Sequence, residues 1–340
     1  MANQALIKVQ YGLEAANGTA AAADTMLACT ASLTADDRQI HIPAVDLGVR
    51  SNMLLSGAAV RRAHAASIAL DDADGAYFQL FPVLFSCGLN GNVSPVEQNT
   101  GEGDYLWTFT APQTGSEDVD TMTLEMGDDA GGYEVSYVLV EQLNITGDCV
   151  SGEVHVSATC SGDLVDQTTV TGGLSIPTME LCIGKLSQIY VDSSWANLGN
   201  TELADCLVNW EVSLTTGAHH KFWGSNSRTT SGHNQGYITG EATFTFERTS
   251  GVYTEEANYR PASGYAQTPR FIRLTTTGTQ ISSGDNQALT LDMAGLWTSW
   301  QTFGAEDNGN SLDQATLTFG YDTTGAQSFQ ALVTTDVSAV

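Results

Sequence analysis

Met122-Thr123-Leu124-Glu125-Met126 puts Met, Leu and Met on one side of an extended chain and Thr and Glu on the other, the period-two pattern of a half-buried strand. The pattern returns in Val154-His155-Val156, Phe244-Thr245-Phe246, Leu289-Thr290-Leu291 and Leu317-Thr318-Phe319. Turn-forming runs lie between them, among them Gly127-Asp128-Asp129-Ala130-Gly131-Gly132, Ser283-Gly284-Asp285-Asn286 and Glu306-Asp307-Asn308-Gly309-Asn310. The class read from this is mainly β, built of antiparallel strands. Ala76–Phe85 departs from the pattern, being nearly all apolar without alternation. It follows the turn-like Asp71-Asp72-Ala73-Asp74-Gly75 and reads as a short helix with Pro82 in its first turn or at a kink, or else as a fully buried strand.

The 340 residues suffice for two domains or one large β unit. An apolar content of 42% with 34 Gly excludes a collagen-like or wholly disordered chain. Asp and Glu number 39 against 12 Lys and Arg, a formal charge of -27. Grip on a nucleic-acid backbone needs basic clusters, and the only ones are Arg61-Arg62 and the loose trio Arg260, Arg270, Arg273. Such a surface repels DNA. Thr occurs 40 times while only 15% of residues are charged, so much of the polar surface is hydroxyl, which favours strands. Met1 to Lys8 lacks a basic leader and a long apolar stretch, and Ala76 to Leu89 is too short to cross a bilayer. The expectation is a soluble protein made in a reducing cytosol. There Cys29, Cys87, Cys149, Cys160, Cys182 and Cys206, with no C-x-x-C among them, are buried unpaired thiols.

G-x-S-x-G, the P-loop, G-x-G-x-x-G and H-E-x-x-H are all missing, so the expectation is a protein that is not an enzyme and takes no cofactor or metal. His219 and His220, adjacent in an extended chain, point to opposite sides, and with His233 they read as a polar loop. Asp71–Gly75 lacks the acidic residue a calcium loop needs at its twelfth position and reads as a turn. Trp210, Trp223, Trp297 and Trp300 admit two readings, packing at a core or interface and a sugar-binding aromatic platform. The second makes the alternative function a carbohydrate-binding β-sandwich module.

Basic residues are absent from Ala63 through Gly184 and again from Leu274 to the C-terminus. Tyr137–Gly147 aligns without a gap on Leu207–Gly217, matching Val138 to Val208, Glu141 to Glu211 and Thr146-Gly147 to Thr216-Gly217. Gly152-Glu153-Val154 then echoes Gly240-Glu241-Ala242, which suggests an internal duplication. The expected division is an N-terminal arm over 1–30, a first domain over 31–172 and a second over 173–340. Glu125, Glu153, Glu211, Glu247 and Asp292 lie on the polar faces of strands. They denote either a solvated sheet face or the acidic wall of a lumen that limits adhesion of a passing polyanion.

Tyr11-Gly12-Leu13-Glu14-Ala15-Ala16-Asn17-Gly18-Thr19-Ala20 resembles the opening arm of tail tube proteins of long-tailed bacteriophages. Asp120–Glu125 before a Gly-rich loop, Leu143-Asn144-Ile145-Thr146-Gly147 and Gly152-Glu153-Val154 are similar to the same family in the same order. Asn209–Leu214 with Thr216-Gly217, Arg270-Phe271-Ile272-Arg273-Leu274 and Leu289–Gly295 resemble the second domain of its two-domain members. The resemblance implies two tandem β-sandwich tube domains, the first carrying the short helix, in a structural virion protein. Three such chains supply six tube domains per ring, and rings stack into the hollow tail that conducts DNA during ejection. It implies assembly in the host cytoplasm, no membrane, and partners that are the chain itself and tape-measure, terminator and baseplate proteins. The polar or Gly-rich segments Met1–Leu27, Ala218–Thr239 and Glu247–Thr268 are then arms ordered by neighbouring rings, or ordinary surface loops.

Overall fold

A computed structural model describes residues 7–35, 38–41, 58–62, 66–72, 74–91, 93–114, 119–150, 152–224, 226–261, 266–307 and 309–340. Met1–Leu6 of the expected arm lie outside them. The chain is mainly β, and among the described residues every strand pairing is antiparallel. Its first part runs β1 (Lys8–Leu13), β2 (Thr25–Met26), β3 (Thr30–Ala35), the hairpin β4 (Arg38–His41) and β5 (Ala58–Arg62), and β6 (Ala66–Asp71). Helix α1 (Phe81–Ser86) follows, then β7 (Val96–Glu97), β8 (Tyr105–Thr110), β9 (Met122–Gly127), β10 (Gly132–Asp148), β11 (Val154–Gly162) and β12 (Val165–Thr168). The second part runs β13 (Ser187–Asp192), β14 (Leu207–Thr215), the hairpin β15 (Ala218–Lys221) and β16 (Gly232–Gln235), β17 (Thr239–Glu247) and helix α2 (Ser250–Tyr259). It ends with β18 (Arg270–Gln280), β19 (Asn286–Asp307), β20 (Asn310–Phe319) and β21 (Phe329–Thr335).

The two parts repeat one pairing pattern. β1 pairs with β9 as β13 pairs with β18, and β9 with β10 as β18 with β19. The long strands β10 and β19 each give their first segment to one sheet and their second to another. On its far edge the first segment takes β12 or β21, and the second takes β11 or β20. β11-β6-β3 continues outward as β20-β17-β14. The inserted hairpins β4–β5 and β15–β16 interrupt the same connection, and α1 and α2 precede β9 and β18. Even the bulge recurs, at Val140/Gln142 and at Trp297/Ser299.

This corrects the echo read from the sequence, which set β10 against β14. Those two strands are neighbours, not counterparts: Leu143 lies opposite Leu214 and Thr146 opposite Glu211. The counterpart of β10 is β19, with which it shares almost no residue identities. The matched Val, Glu and Thr-Gly positions are what any strand with one solvated face and a closing turn tends to carry.

Through β10–β14 the repeats join head to tail in one eight-stranded sheet, ordered β3-β6-β11-β10-β14-β17-β20-β19. Smaller sheets, β2-β1-β9-β10-β12 and β13-β18-β19-β21-β8-β7, use the first segments of the long strands. Among the described residues the pairings followed from strand to strand never return to the start, so the large sheet is open there, with β3 and β19 at its edges. The expected boundary at 172/173 falls in the extended stretch between β12 and β13. Across it β8 pairs with β21, and the Trp107 indole N–H donates to Val337 O at 2.9 Å. Buried side chains of all three sheets form one apolar cluster.

α1 is the short helix expected after the Asp71–Gly75 turn, with Pro82 in its first turn, where no helical hydrogen bond is lost. All six of its residues are buried, as a helix apolar on nearly every side requires; the one polar residue, Ser86, hydrogen-bonds Asp120.

Candidate assembly interface

Along β14, Trp210, Val212 and Leu214 are buried and Asn209, Glu211, Ser213 and Thr215 face the other way. The same alternation runs across the eight-stranded sheet, so its outer face is a lattice of hydroxyls and amides. Gln142, Asn144 and Thr146 of β10, Thr243 and Thr245 of β17, and Gln314, Thr316 and Thr318 of β20 all stand on it. Thr243 and Thr316 hydroxyls lie 3.2 Å apart, and Thr298 and Thr318 hydroxyls 2.9 Å apart.

The five acids proposed for a lumen wall are not on one surface. Glu211 is exposed on this face, Glu153 is half-buried beside Ile183, and Glu247 is half-buried in an open groove with Lys185, Glu202 and Asp205. Glu125 and Asp292 are buried inside the chain, at 3% and 1% exposure, so neither can line a bore. Glu125 accepts from Gln10 Nε2 at 2.8 Å, Thr171 N at 2.6 Å and Thr171 Oγ1 at 2.9 Å. Asp292 is held in a two-pronged pair with Arg273, both contacts 2.7 Å. Alternation alone cannot separate a solvated acid from one whose partners come from distant strands. It does reveal an acid the list omitted: Glu241 shares the face of Thr243, Thr245 and Glu247 and is exposed.

Burial by itself raises the Glu125 carboxyl value, but the hydrogen bonds from Thr171, Gln10 and Ala23 outweigh it and hold the value below the usual range. A depressed folded value contributes stability that is complete above the unfolded carboxyl value, about 4.3, and is lost as pH falls through the folded one. Glu125→Gln is therefore expected to cost roughly 1.5–3 kcal/mol at pH 7. Thermal melts of the two proteins are expected to converge below about pH 4. A gap unchanged at pH 3 contradicts the assignment.

Glu14 ties down the segment read as an arm. Its carboxylate accepts from Gly18 N at 2.6 Å, Thr121 Oγ1 at 2.6 Å, Thr123 Oγ1 at 2.9 Å and Tyr137 N at 2.7 Å. Tyr137 sits at φ 57, and four bonds to one anion offset the strain of that backbone. Within the segment Glu247–Thr268, residues 262–265 lie outside the described residues, and α2 is clamped onto β19 rather than being a free loop. Arg270 pairs with Glu255 at 2.7 Å, and Glu255 also accepts from the Trp297 indole at 2.8 Å. Arg248 pairs with Asp313 at 2.5 Å and with Glu256 at 3.2 Å, while the Trp300 indole lies 3.3 Å from Asp313.

These contacts dissolve the aromatic platform. Trp210, Trp297 and Trp300 are buried, and only Trp223 is exposed, on the β15–β16 hairpin. That hairpin is seated by Gln235, whose Nε2 donates to Leu89 O and Thr216 O at 3.1 Å. His219 is exposed and His220 buried, on opposite faces of β15. Among the described residues no three His, Cys, Asp or Glu side chains gather as a metal site. Five of the cysteines are buried free thiols and Cys29 is half-buried, with burial pushing Cys149 up to about 11.

No protein-family model matches the chain, and a search of curated proteins returns no relative.

Among the described residues the eight-stranded sheet ends in two strand edges. Among the described residues no strand pairs with the outer side of β3, nor with β19 beyond Gly295 on the side away from β20. Arg260 Nη2 donates to the Trp300 carbonyl oxygen at 3.4 Å, so at that point a side chain caps the β19 edge and an added strand displaces it. Such edges invite addition of another strand.

Proposed function

We propose that this chain is a structural virion protein that polymerises into stacked rings and forms the hollow tail tube through which DNA passes. The observation that carries the reading is the head-to-tail repetition of one pairing unit in an open sheet. A heterologous contact used once inside a chain can be used again between chains, closing a ring or propagating. On this reading the two units are tandem tube domains fused by a shared sheet. Three chains supply six of them per ring, as the resemblance of the sequence implies. The hydroxyl and amide face becomes the wall of the bore, with Glu211 and Glu241 its exposed acids. A surface rich in neutral hydroxyls, on a chain of charge -27, offers a polyanion no cationic hold. Tape-measure, terminator and baseplate proteins are the partners this implies, transient DNA the cargo, and the virion tail the place of action after synthesis in the host cytoplasm.

Negative-stain electron microscopy of the purified protein over a range of concentration and salt tests this directly. Rings or hollow tubes are expected. Monomers persisting at every concentration, together with a monomer mass in solution, overturn it.

A further inference from the structure

We infer that the edge of β19 with no strand partner receives β3 of a second copy of this chain in place of the Arg260 contact, antiparallel and in the register that β10 and β14 use within one chain. The inference rests on the self-assembly reading and names its contact.

The register follows from the repeat. The shared bulge sets Val140 on Trp297 and Gln142 on Ser299, so Leu143 corresponds to Trp300 and Asn144 to Gln301. Stepping outward through paired strands, Thr159 corresponds to Thr316, Ala69 to Thr243 and Ser32 to Glu211. β3 thus stands for β14, with Thr34 in the place of Ser213 and Ala35 in the place of Leu214. In the chain, Leu143 faces Leu214, Asn144 faces Ser213 and Asp148 faces Asn209. Between copies, Trp300 then faces Ala35 and Gln301 faces Thr34. β19 carries a second irregularity between Gln301 and Ala305, and past it Asp307 faces Thr30.

Chemistry matches step by step. On the core side Trp300 takes the place of Leu143. A polar pair on the outer face, Asn with Ser, becomes Gln with Thr, and Gln301 and Thr34 are both exposed in the single chain. An acid opposite an amide becomes an acid opposite a hydroxyl. β3 carries no charged residue, so the acids of β19 meet no like charge across the pair. The same junction also removes both open edges at once.

Disulfide trapping in a Cys29→Ser background tests the register, since only Cα atoms within about 7 Å can be bridged. A protein carrying both Gln301→Cys and Thr34→Cys is expected to give a ladder of covalent oligomers on mild oxidation. The single variants are expected to give none alone, and a covalent dimer when mixed. The shifted pair Gln301→Cys with Ser32→Cys is expected to link at least tenfold more slowly. Equal linking by the shifted pair overturns the register, and dimers from Thr34→Cys alone overturn the partner edge in favour of β3 against β3. No ladder from a protein that forms tubes in the microscope rejects this contact and leaves the tube reading intact. A ladder without tubes keeps the contact and rejects the tube.

Discussion

Asp292→Ala is expected to destabilise the chain by about 3 kcal/mol, read as a shift of the urea midpoint with unchanged slope. Asp292 lies in the middle of β19, opposite Arg273 of β18 on one side and Gln330 of β21 on the other. Its carboxylate takes both arms of the guanidinium, and that hydrogen bonding raises the Arg273 value further. Removing one partner of a buried pair leaves the other charge without compensation, a loss of about 3–5 kcal/mol. The low end applies because the Arg273 side chain keeps a third of its surface in water. Replacing both residues by Leu is expected to recover most of the loss, since well-packed apolar pairs often match buried ion pairs. A loss below about 1 kcal/mol for Asp292→Ala, the worth of an exposed pair, contradicts this account.

Trp210→Ala is expected to cost more, about 3–5 kcal/mol, the usual range for a buried Trp. Trp210 sits in β14 at the junction of the two repeats, with its indole N–H 3.2 Å from Ser187 Oγ. Its partner across the strands is Gly147, and a Cβ built on Gly147 meets the indole ring well inside contact distance. Gly147→Ala is therefore also expected to destabilise, by about 1–3 kcal/mol through overpacking. In the double variant the added methyl enters the space the indole left, so its loss is expected to be clearly less than the sum of the two single losses. Additive losses, measured by calorimetry on all four proteins, contradict the packing described.

The class of fold was legible in short stretches such as Phe244-Thr245-Phe246, where alternation reports directly which side of a strand is dry. The helix at α1 was legible for the converse reason, a run apolar on every side next to a turn. The repeat was not legible. The echo did not reveal it: it joined β10 to β14, which are neighbours, because residue type records the face and the turn and not the counterpart. The counterpart β10 and β19 are recognisable by length, bulge and pairing, none of which a residue match detects. The candidate acids divide the same way. Glu211 and Glu241 follow from alternation, whereas the burial of Glu125 depends on Gln10 and Thr171, and that of Asp292 on Arg273. Changing all five named acids to Lys would therefore unfold the chain before it reported on a bore.

The β10–β14 junction also bears on how quickly an assembly of this kind starts. Two units on separate chains must meet by diffusion, and each meeting sacrifices translational and rotational freedom worth several kcal/mol. In the ring proposed above, half of those meetings are made during folding, at an effective concentration set by the stretch between β12 and β13 rather than by the abundance of the chain. For a ring of six units the reaction order of nucleation drops from six to three, so the lag before growth should shorten most when protein is scarce.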